Sequence, residues 1–284
     1  MATIQELLNI GKEKLENSGN EYAKYERKVL LEEVLGCNYM FMLMNADEEV
    51  APEKEAEYLR LIDERCKHYP LQYLLGVAHF MDYTFIVNES VLIPRNDTEI
   101  LVETAGEILH DVLQGKDFAQ FKVLDLCCGS GCIGISLKLY HKDIDLTLSD
   151  VSMDALEVTK KNIARHEIEA KVICYNLLSG INEKQDMIVS NPPYIESRVI
   201  ETLMPEVREH EPMLALDGGE DGLDFYNQII EEAPEYLNDG GWLLFEIGHN
   251  QGVAVSQKMT ELGFYDVQVK KDYAGLDRVV YGHL

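Results

Sequence analysis

The spacing of apolar residues changes character along this chain. Ile4, Leu7, Leu8, Ile10 and Leu15 keep helical spacing, as do Val29, Leu30, Val34 and Leu35 before Gly36, which reads as a stop. A further helix is predicted over about residues 52–68, with Tyr58, Leu59, Leu61 and Ile62 on its apolar side. No strand pattern and no cluster of chemistry interrupts residues 1–75, which predicts a small helical bundle acting as a lid or a docking surface. Beyond Pro70 the pattern shifts to alternation in Phe80, Tyr83, Phe85 and Val87, with Asp82 and Asn88 near turns. This predicts a hairpin within residues 76–93 that joins two domains.

From residue 122 strand and helix patterns alternate. Residues 123–126, 144–148, 171–175, 187–190 and 242–246 read as strands, and 133–140, 155–163 and 225–237 as helices. Two late strands, around 265–269 and 278–281, complete a set of seven. The alternation predicts an α/β domain over residues 94–284, a doubly wound sheet with ligands at the carboxyl ends of its strands.

Two strand ends carry candidate chemistry. The run Ile188-Val189-Ser190 stops at Asn191-Pro192-Pro193-Tyr194. Both prolines fix φ and lack an N–H, and each pushes its predecessor toward extended backbone. Such a loop is stiff, with carbonyls left facing outward. The Asn191 side-chain oxygen and the Pro192 carbonyl can accept the two hydrogens of a planar –NH2 group, with the Tyr194 ring along its plane. The plainer reading is a strand-to-loop exit, since Asn-Pro marks turns.

The other candidate follows residues 123–126, where Cys127-Cys128-Gly129-Ser130-Gly131-Cys132 opens a helix. Gly129, Gly131 and Gly134 stand in Gly-x-Gly-x-x-Gly register, which fits either close backbone approach to a nucleotide cofactor or tight helix packing. Asp125, near the strand end, can meet a cationic amino-acid or sulfonium group. Asp150 ends the second strand about twenty residues on, where a carboxylate can hold ribose hydroxyls. NAD and S-adenosylmethionine both fit Asp150. Asp125 and the Asn-Pro-Pro-Tyr run fit the second better, and His79, His110, His141, His166, His210 and His249 are scattered away from strand ends.

Composition narrows the class. With 51 acidic and 25 basic residues the formal net charge is −26, which repels polyanions and leaves no basic footprint for nucleic acid. Hydrophobic residues make up 46% of the 284, yet no apolar run approaches the ~18 residues of a membrane span. The first residues lack the basic start and apolar core of a signal peptide. The six cysteines form no paired Cys-x-x-Cys knuckles. A soluble cytoplasmic monomer with reduced thiols, no bound metal, and no membrane or nucleic-acid partner is expected.

Together these motifs resemble one family, the release-factor glutamine methyltransferases. The resemblance takes in Asn191-Pro192-Pro193-Tyr194, the glycine turn, Asp150, Pro94-Arg95-Asn96-Asp97-Thr98-Glu99 and the helical N-terminal region. It extends to Pro70-Leu71-Gln72-Tyr73 with Gly76, Glu211-Pro212, Asp221-Gly222-Leu223, Glu246-Ile247-Gly248 with Gln251, and Asp272 with Gly275 and Asp277-Arg278. It implies a seven-stranded class I S-adenosylmethionine-dependent methyltransferase sheet with a small helical domain for substrate docking. The implied reaction methylates the amide nitrogen of the glutamine in the Gly-Gly-Gln motif of peptide chain release factors, leaving S-adenosylhomocysteine.

The same resemblance implies catalytic roles for Asn191, Pro192, Pro193 and Tyr194. The cofactor-facing set it implies is Asp125, Cys127, Cys128, Gly129, Ser130, Gly131, Asp150, Val151, Asn176, Leu177 and Asn191, with Arg95 and Thr98. Three departures stand out. Asn96-Asp97 replaces the usual Pro-Glu, Asn176 stands where an acidic residue commonly meets the adenine amino group, and Cys127-Cys128 replaces small residues. Alternatives of like chemistry are a ribosomal-protein glutamine, or adenine N6 in a nucleic acid with Asn191 facing a flipped base. A cofactor-binding regulator without turnover is the alternative of a different class, countered by the intact loop beside an intact glycine turn.

Overall fold

A computed structural model of the chain describes residues 1–112 and 121–284. It divides into two compact units, Met1–Gly76 with Met204–His210, and Val77–Leu203 with Glu211–Leu284.

The first unit is helical: α1 (Ile4–Asn17), α2 (Ala23–Leu35), α3 (Tyr39–Met44), α4 (Pro52–Arg65), α5 (Leu71–Leu75) and, from later in the chain, α10 (Pro205–His210). Local chemistry sets the boundaries. Thr3 and Glu6 close a capping box on α1, and α2 ends at Gly36 in the left-handed region. Pro52 occupies the first turn of α4, where its missing N–H costs nothing. Leu7, Leu15, Leu30, Leu31, Tyr58 and Ile62 are fully or almost fully buried together, each large aliphatic side chain contributing roughly 1.5–3 kcal/mol. Buried Arg65 bonds both carboxylate oxygens of buried Glu26, at 2.7 and 3.1 Å, and also meets Glu206 of α10. Paired charges of this kind are tolerated where a lone buried charge is not. Helix α4 stops at Arg65, short of the predicted residue 68.

The second unit opens with the hairpin β1 (Val77–Phe80) and β2 (Tyr83–Ile86), then α6 (Glu99–Val112). There follow β3 (Lys122–Leu126), α7 (Cys132–Tyr140), β4 (Asp145–Asp150), α8 (Met153–Arg165), β5 (Lys171–Cys174) and β6 (Gln185–Ser190). Next come α9 (Ser197–Ile200), α11 (Asp224–Tyr236), β7 (Leu237–Glu246), α12 (Gly252–Glu261), β8 (Tyr265–Lys271) and β9 (Asp277–His283). Neither α9, α10 nor α12 is anticipated by the periodicity, and β7 begins five residues before the predicted strand, through Asn238, Asp239 and two glycines.

Seven strands form one sheet in the order β5-β4-β3-β6-β7-β9-β8, with the first five parallel and β9 antiparallel to both neighbours. Successive residues face opposite sides, so Val123 joins the core under α6 and α7 while Leu124 joins the core under α11 and α12. The chain order reverses between β3 and β6, and crevices at the carboxyl ends of such strands are where doubly wound sheets bind ligands.

Candidate active site

Strand register brings the candidate residues to one level. Leu126 at the end of β3 pairs with Ser149 of β4 on one side and Ser190 of β6 on the other. Cys127, Asp150 and Asn191 therefore leave the sheet side by side. They open into a cleft with about 990 Å³ of empty space, part of it open to solvent.

One half of the cleft is the turn after β3. Asp150 accepts from the backbone N–H of Gly129 and of Ser152, each at 2.9 Å. Burial raises its pKa, and these two bonds oppose the rise by favouring the ionised form. Gly129 has φ +54, and a Cβ built there meets nothing within 4 Å, so bare backbone faces the cleft. Cys127 and Leu177, both lining the cleft, hold φ of +59 and +48 without being glycine. Left-handed backbone at non-glycine residues costs about 1–3 kcal/mol and clusters at functional sites. Asn176 lies on the same wall.

Asp125 behaves differently. It is fully buried, and its Oδ2 accepts from the Gly134 N–H at 2.8 Å while Oδ1 has no partner among the described residues. Burial lifts its pKa to about 7. It lies beneath the cleft rather than on its wall, and it ties α7 to β3 where Gly134 packs too tightly for any Cβ.

The other half is the exit of β6. Ser190 anchors it through a 2.7 Å bond from its hydroxyl to the Leu126 carbonyl. Asn191 lines the cleft, and its Nδ2 lies 3.5 Å from Thr98 Oγ1. No backbone donor among the described residues bonds the Pro192 carbonyl. The Tyr194 hydroxyl donates to Glu246 Oε1 at 3.2 Å, and the Tyr194 carbonyl accepts from Gln251 Nε2 at 3.0 Å. Gln251 also donates to the Gly222 carbonyl and accepts from the Gly248 N–H, so one side chain joins three segments behind the loop. Gly222 has φ +74, and a Cβ there would come within 2.3 Å of the Tyr194 carbonyl oxygen.

Comparison with known proteins bears on this arrangement. Residues 6–76 match the family model of the PrmC N-terminal domain, and residues 99–209 match that of the methyltransferase small domain. The release factor glutamine methyltransferase of Clostridium botulinum is 43% identical over 260 residues, spanning 90% of each chain. That of Geobacter sulfurreducens is 40% identical over 283 residues, spanning 99% of this chain and 97% of its own. The chain belongs to the release factor glutamine methyltransferase family. Among solved structures, the hMettl16 catalytic domain in complex with the MAT2A 3′UTR hairpin 6 aligns with a TM-score of 0.55 at 14% identity, over 81% of each chain, which shows the fold alone.

For a chain of this family, the positions singled out in sequence divide clearly. Arg95, Thr98, Cys127, Cys128, Gly129, Ser130, Asp150, Val151, Asn176, Leu177, Asn191 and Pro193 all line the cleft. Asp125, Gly131, Pro192 and Tyr194 are not among the residues that line it. Asn96–Thr98 forms a 3₁₀ turn ahead of α6, and Asp97 pairs with Arg278 at 3.2 Å. Arg278 also holds Asp272 at 3.1 Å, and Arg95 pairs with the nearly buried Glu211.

Sequence reasoning assigned no role to Glu246, Gln251, Gly222 or Arg278 beyond their share in the resemblance. Their signal is visible in retrospect as polar residues embedded in apolar surroundings. What they touch is 29 or more residues away in several cases, as with Gln251 and Gly222. Burial pushes the Cys128 thiol well above its ordinary pKa and the Cys132 thiol to about 12, so both stay protonated beside the cleft. Among the described residues no three His, Cys, Asp or Glu side chains are grouped to hold a metal, and no helix is long and apolar enough to cross a membrane.

Proposed function

We propose that this protein transfers a methyl group from S-adenosylmethionine to the side-chain amide nitrogen of the glutamine in the Gly-Gly-Gln motif of peptide chain release factors. The observation that carries the reading is the placement of Asn191 in one cleft with Asp150 and the bare Gly129 backbone at the sheet's switch point.

The residues present fit the cofactor. Asp150 keeps carboxylate lone pairs for ribose hydroxyls beyond its two backbone bonds, and the turn exposes backbone where a Cβ would meet nothing. Asn176, on the same wall, can accept from an adenine amino group. When bound, the cofactor supplies an electrophilic methyl on a sulfonium. The chain's own task is to prepare the acceptor. An amide nitrogen is a poor nucleophile because its lone pair is delocalised into the carbonyl. The Asn191 side-chain oxygen and the Pro192 carbonyl accept its two hydrogens, which orients the nitrogen and supports the positive charge developing on it. The cationic nitrogen then loses its proton without a strong base.

The helical unit, which spans the match to the PrmC N-terminal domain, is read as the docking region for the protein substrate. The enzyme is read as a cytoplasmic monomer. The test incubates it with labelled S-adenosylmethionine and, separately, release factor, a Gly-Gly-Ala variant of that factor, a ribosomal protein bearing a modifiable glutamine, and duplex DNA. Label on the intact release factor and none on the Gly-Gly-Ala variant is expected. Label on the DNA alone overturns the assignment.

A further inference from the structure

The turn after β3 is closed by a bond from the Gly131 N–H to the Cys128 carbonyl at 2.7 Å, which puts Gly129 and Ser130 at its centre. Turn types differ by a half-rotation of the peptide joining the two central residues, and a glycine at the first of them lowers the steric cost of either orientation. The backbone alone therefore leaves this peptide free to face either way.

Helix α8 makes the choice. Thr159, fully buried, donates from Oγ1 to the Gly129 carbonyl at 2.7 Å. The same hydroxyl lies 3.2 Å from the Ala155 carbonyl, so its single hydrogen goes to the nearer oxygen, and Cys128 Sγ at 3.8 Å is left to its lone pairs. Asn162, also fully buried, donates from Nδ2 to the Ser130 carbonyl at 2.9 Å. Its amide is itself held in place. Oδ1 accepts from the Ile86 N–H at 2.6 Å, and Nδ2 gives its other hydrogen to the Ile86 carbonyl at 3.0 Å. Residues three apart share one face of a helix, so both donors reach the turn from the same side.

A trans peptide directs its C=O and its N–H oppositely. With the Gly129 carbonyl tied back to α8, the Ser130 N–H points away from that helix. No backbone carbonyl among the described residues accepts from it, and both Gly129 and Ser130 line the cleft. A backbone donor left over at a cleft wall is available to whatever enters. On S-adenosylmethionine the one anionic acceptor is the carboxylate of the amino-acid end, and charged acceptors make the stronger bonds.

We propose that Thr159 and Asn162 are positioning residues for the methyl donor, holding the central peptide of the turn with its carbonyl inward and the Ser130 N–H toward the carboxylate of S-adenosylmethionine. This rests on the cofactor reading given above. Neither side chain touches the ligand in this role. The glycine turn takes its orientation from the helix that follows the next strand.

The test measures calorimetric affinity of the full chain for S-adenosylhomocysteine and for 5′-methylthioadenosine, which keeps the adenosine and the sulfur and lacks the amino-acid end. Two variants divide the Thr159 side chain between them. Its methyl packs near Gly131, where a Cβ would meet Cγ2 at 3.0 Å. Thr159→Val keeps that methyl and loses the hydroxyl, whereas Thr159→Ser keeps the hydroxyl and loses the methyl. Thr159→Val should weaken S-adenosylhomocysteine about tenfold, the worth of about one hydrogen bond to a charged group, and leave 5′-methylthioadenosine within about twofold of wild type. Thr159→Ser should bind both within about threefold. In the ligand-free protein the Ser130 backbone amide resonance should move further in Thr159→Val than in Thr159→Ser. Asn162→Ala should combine a lowered urea midpoint with a loss of at least about tenfold for S-adenosylhomocysteine.

Wild-type affinity in Thr159→Val, an equal loss for both ligands, or a loss in Thr159→Ser as large as in Thr159→Val overturns the proposal. A lowered midpoint with wild-type affinity in Asn162→Ala removes Asn162 from it, and the Thr159 variants decide the orientation of the turn even where Asn162→Ala does not fold. If the wild-type protein binds neither ligand, the cofactor reading fails separately. The Ser130 amide then still decides the inference, an unmoved resonance in Thr159→Val counting against it.

Discussion

The exits of β4 and β6 stand at the same level of one sheet and are built on opposite plans. At β4, Asp150 is held by the backbone N–H groups of Ser152, two residues on, and of Gly129, 21 residues back in the adjoining turn. At β6, Asn191 meets Thr98 across 93 residues, and the Tyr194 hydroxyl and carbonyl reach partners 52 and 57 residues away. The cofactor half is a local device, one turn and the next strand. The acceptor half exists only when the late strands and α12 have closed behind it. Damage to distant residues should therefore reach methyl transfer before it reaches cofactor binding.

The largest effect that tests this contrast is Asn191→Ala. It should cut turnover by roughly 10²–10³-fold, the usual cost of a lost charge-stabilising group, while calorimetry shows cofactor affinity nearly unchanged. Equal losses in both would erase the distinction between the halves.

Asp150→Ala should show the opposite split. Removing the side-chain acceptor of two backbone bonds should weaken cofactor binding by about 10–100-fold and spare turnover at saturating cofactor. A turnover loss that saturation does not repair would mean that the turn also positions the acceptor.

Gln251→Ala probes the brace behind the loop. It leaves the buried-side carbonyls of Tyr194 and Gly222 and the Gly248 N–H without a common partner. A stability loss of about 2 kcal/mol in urea unfolding and a drop of about tenfold in kcat, with cofactor affinity kept, are expected. Loss of cofactor affinity alone would contradict the plan described for β6.

The last effect is one of pH on stability and concerns Asp125 beneath the cofactor half. In the fold its carboxyl titrates at about 7, against roughly 3.9 in the unfolded chain, so between those values the folded state binds more protons. Its contribution to stability is present below about pH 4, is lost progressively up to about pH 7, and stays level above. Asp125→Asn should remove that slope, read as the difference between variant and wild-type urea midpoints at pH 5 and pH 8. A difference independent of pH would place the carboxylate in its ionised state throughout.

Much of the architecture was legible along the chain. Helical spacing marked α1, α2 and α4, and alternating strand and helix patterns marked all seven strands, because side-chain period and turn chemistry depend on residues only a few positions apart. Helices α3, α5 and α9 were missed as separate elements because four to six residues complete too little of a period to register. Helix α12 escaped because only Gly252, Val255 and Met259 of its ten residues are buried. The start of β7 was hidden by Asn238, Asp239, Gly240 and Gly241, which read as a turn and are pulled into the sheet by pairing with Leu284 at the chain's end.

The doubly wound sheet, the glycine turn, Asp150 and the stiff Asn-Pro-Pro-Tyr exit can all be read along the chain. Each is a matter of neighbours in the chain, of φ restricted by proline, backbone freed by glycine, or an acidic side chain at a strand end. Folding in three dimensions settles that Asp125 turns to Gly134, that Asp97 pairs with Arg278, and that Glu246 accepts from the Tyr194 hydroxyl. Register across parallel strands and the closure of β9 against β7 bring these groups together. The separations involved run to tens of residues, beyond the reach of any local pattern.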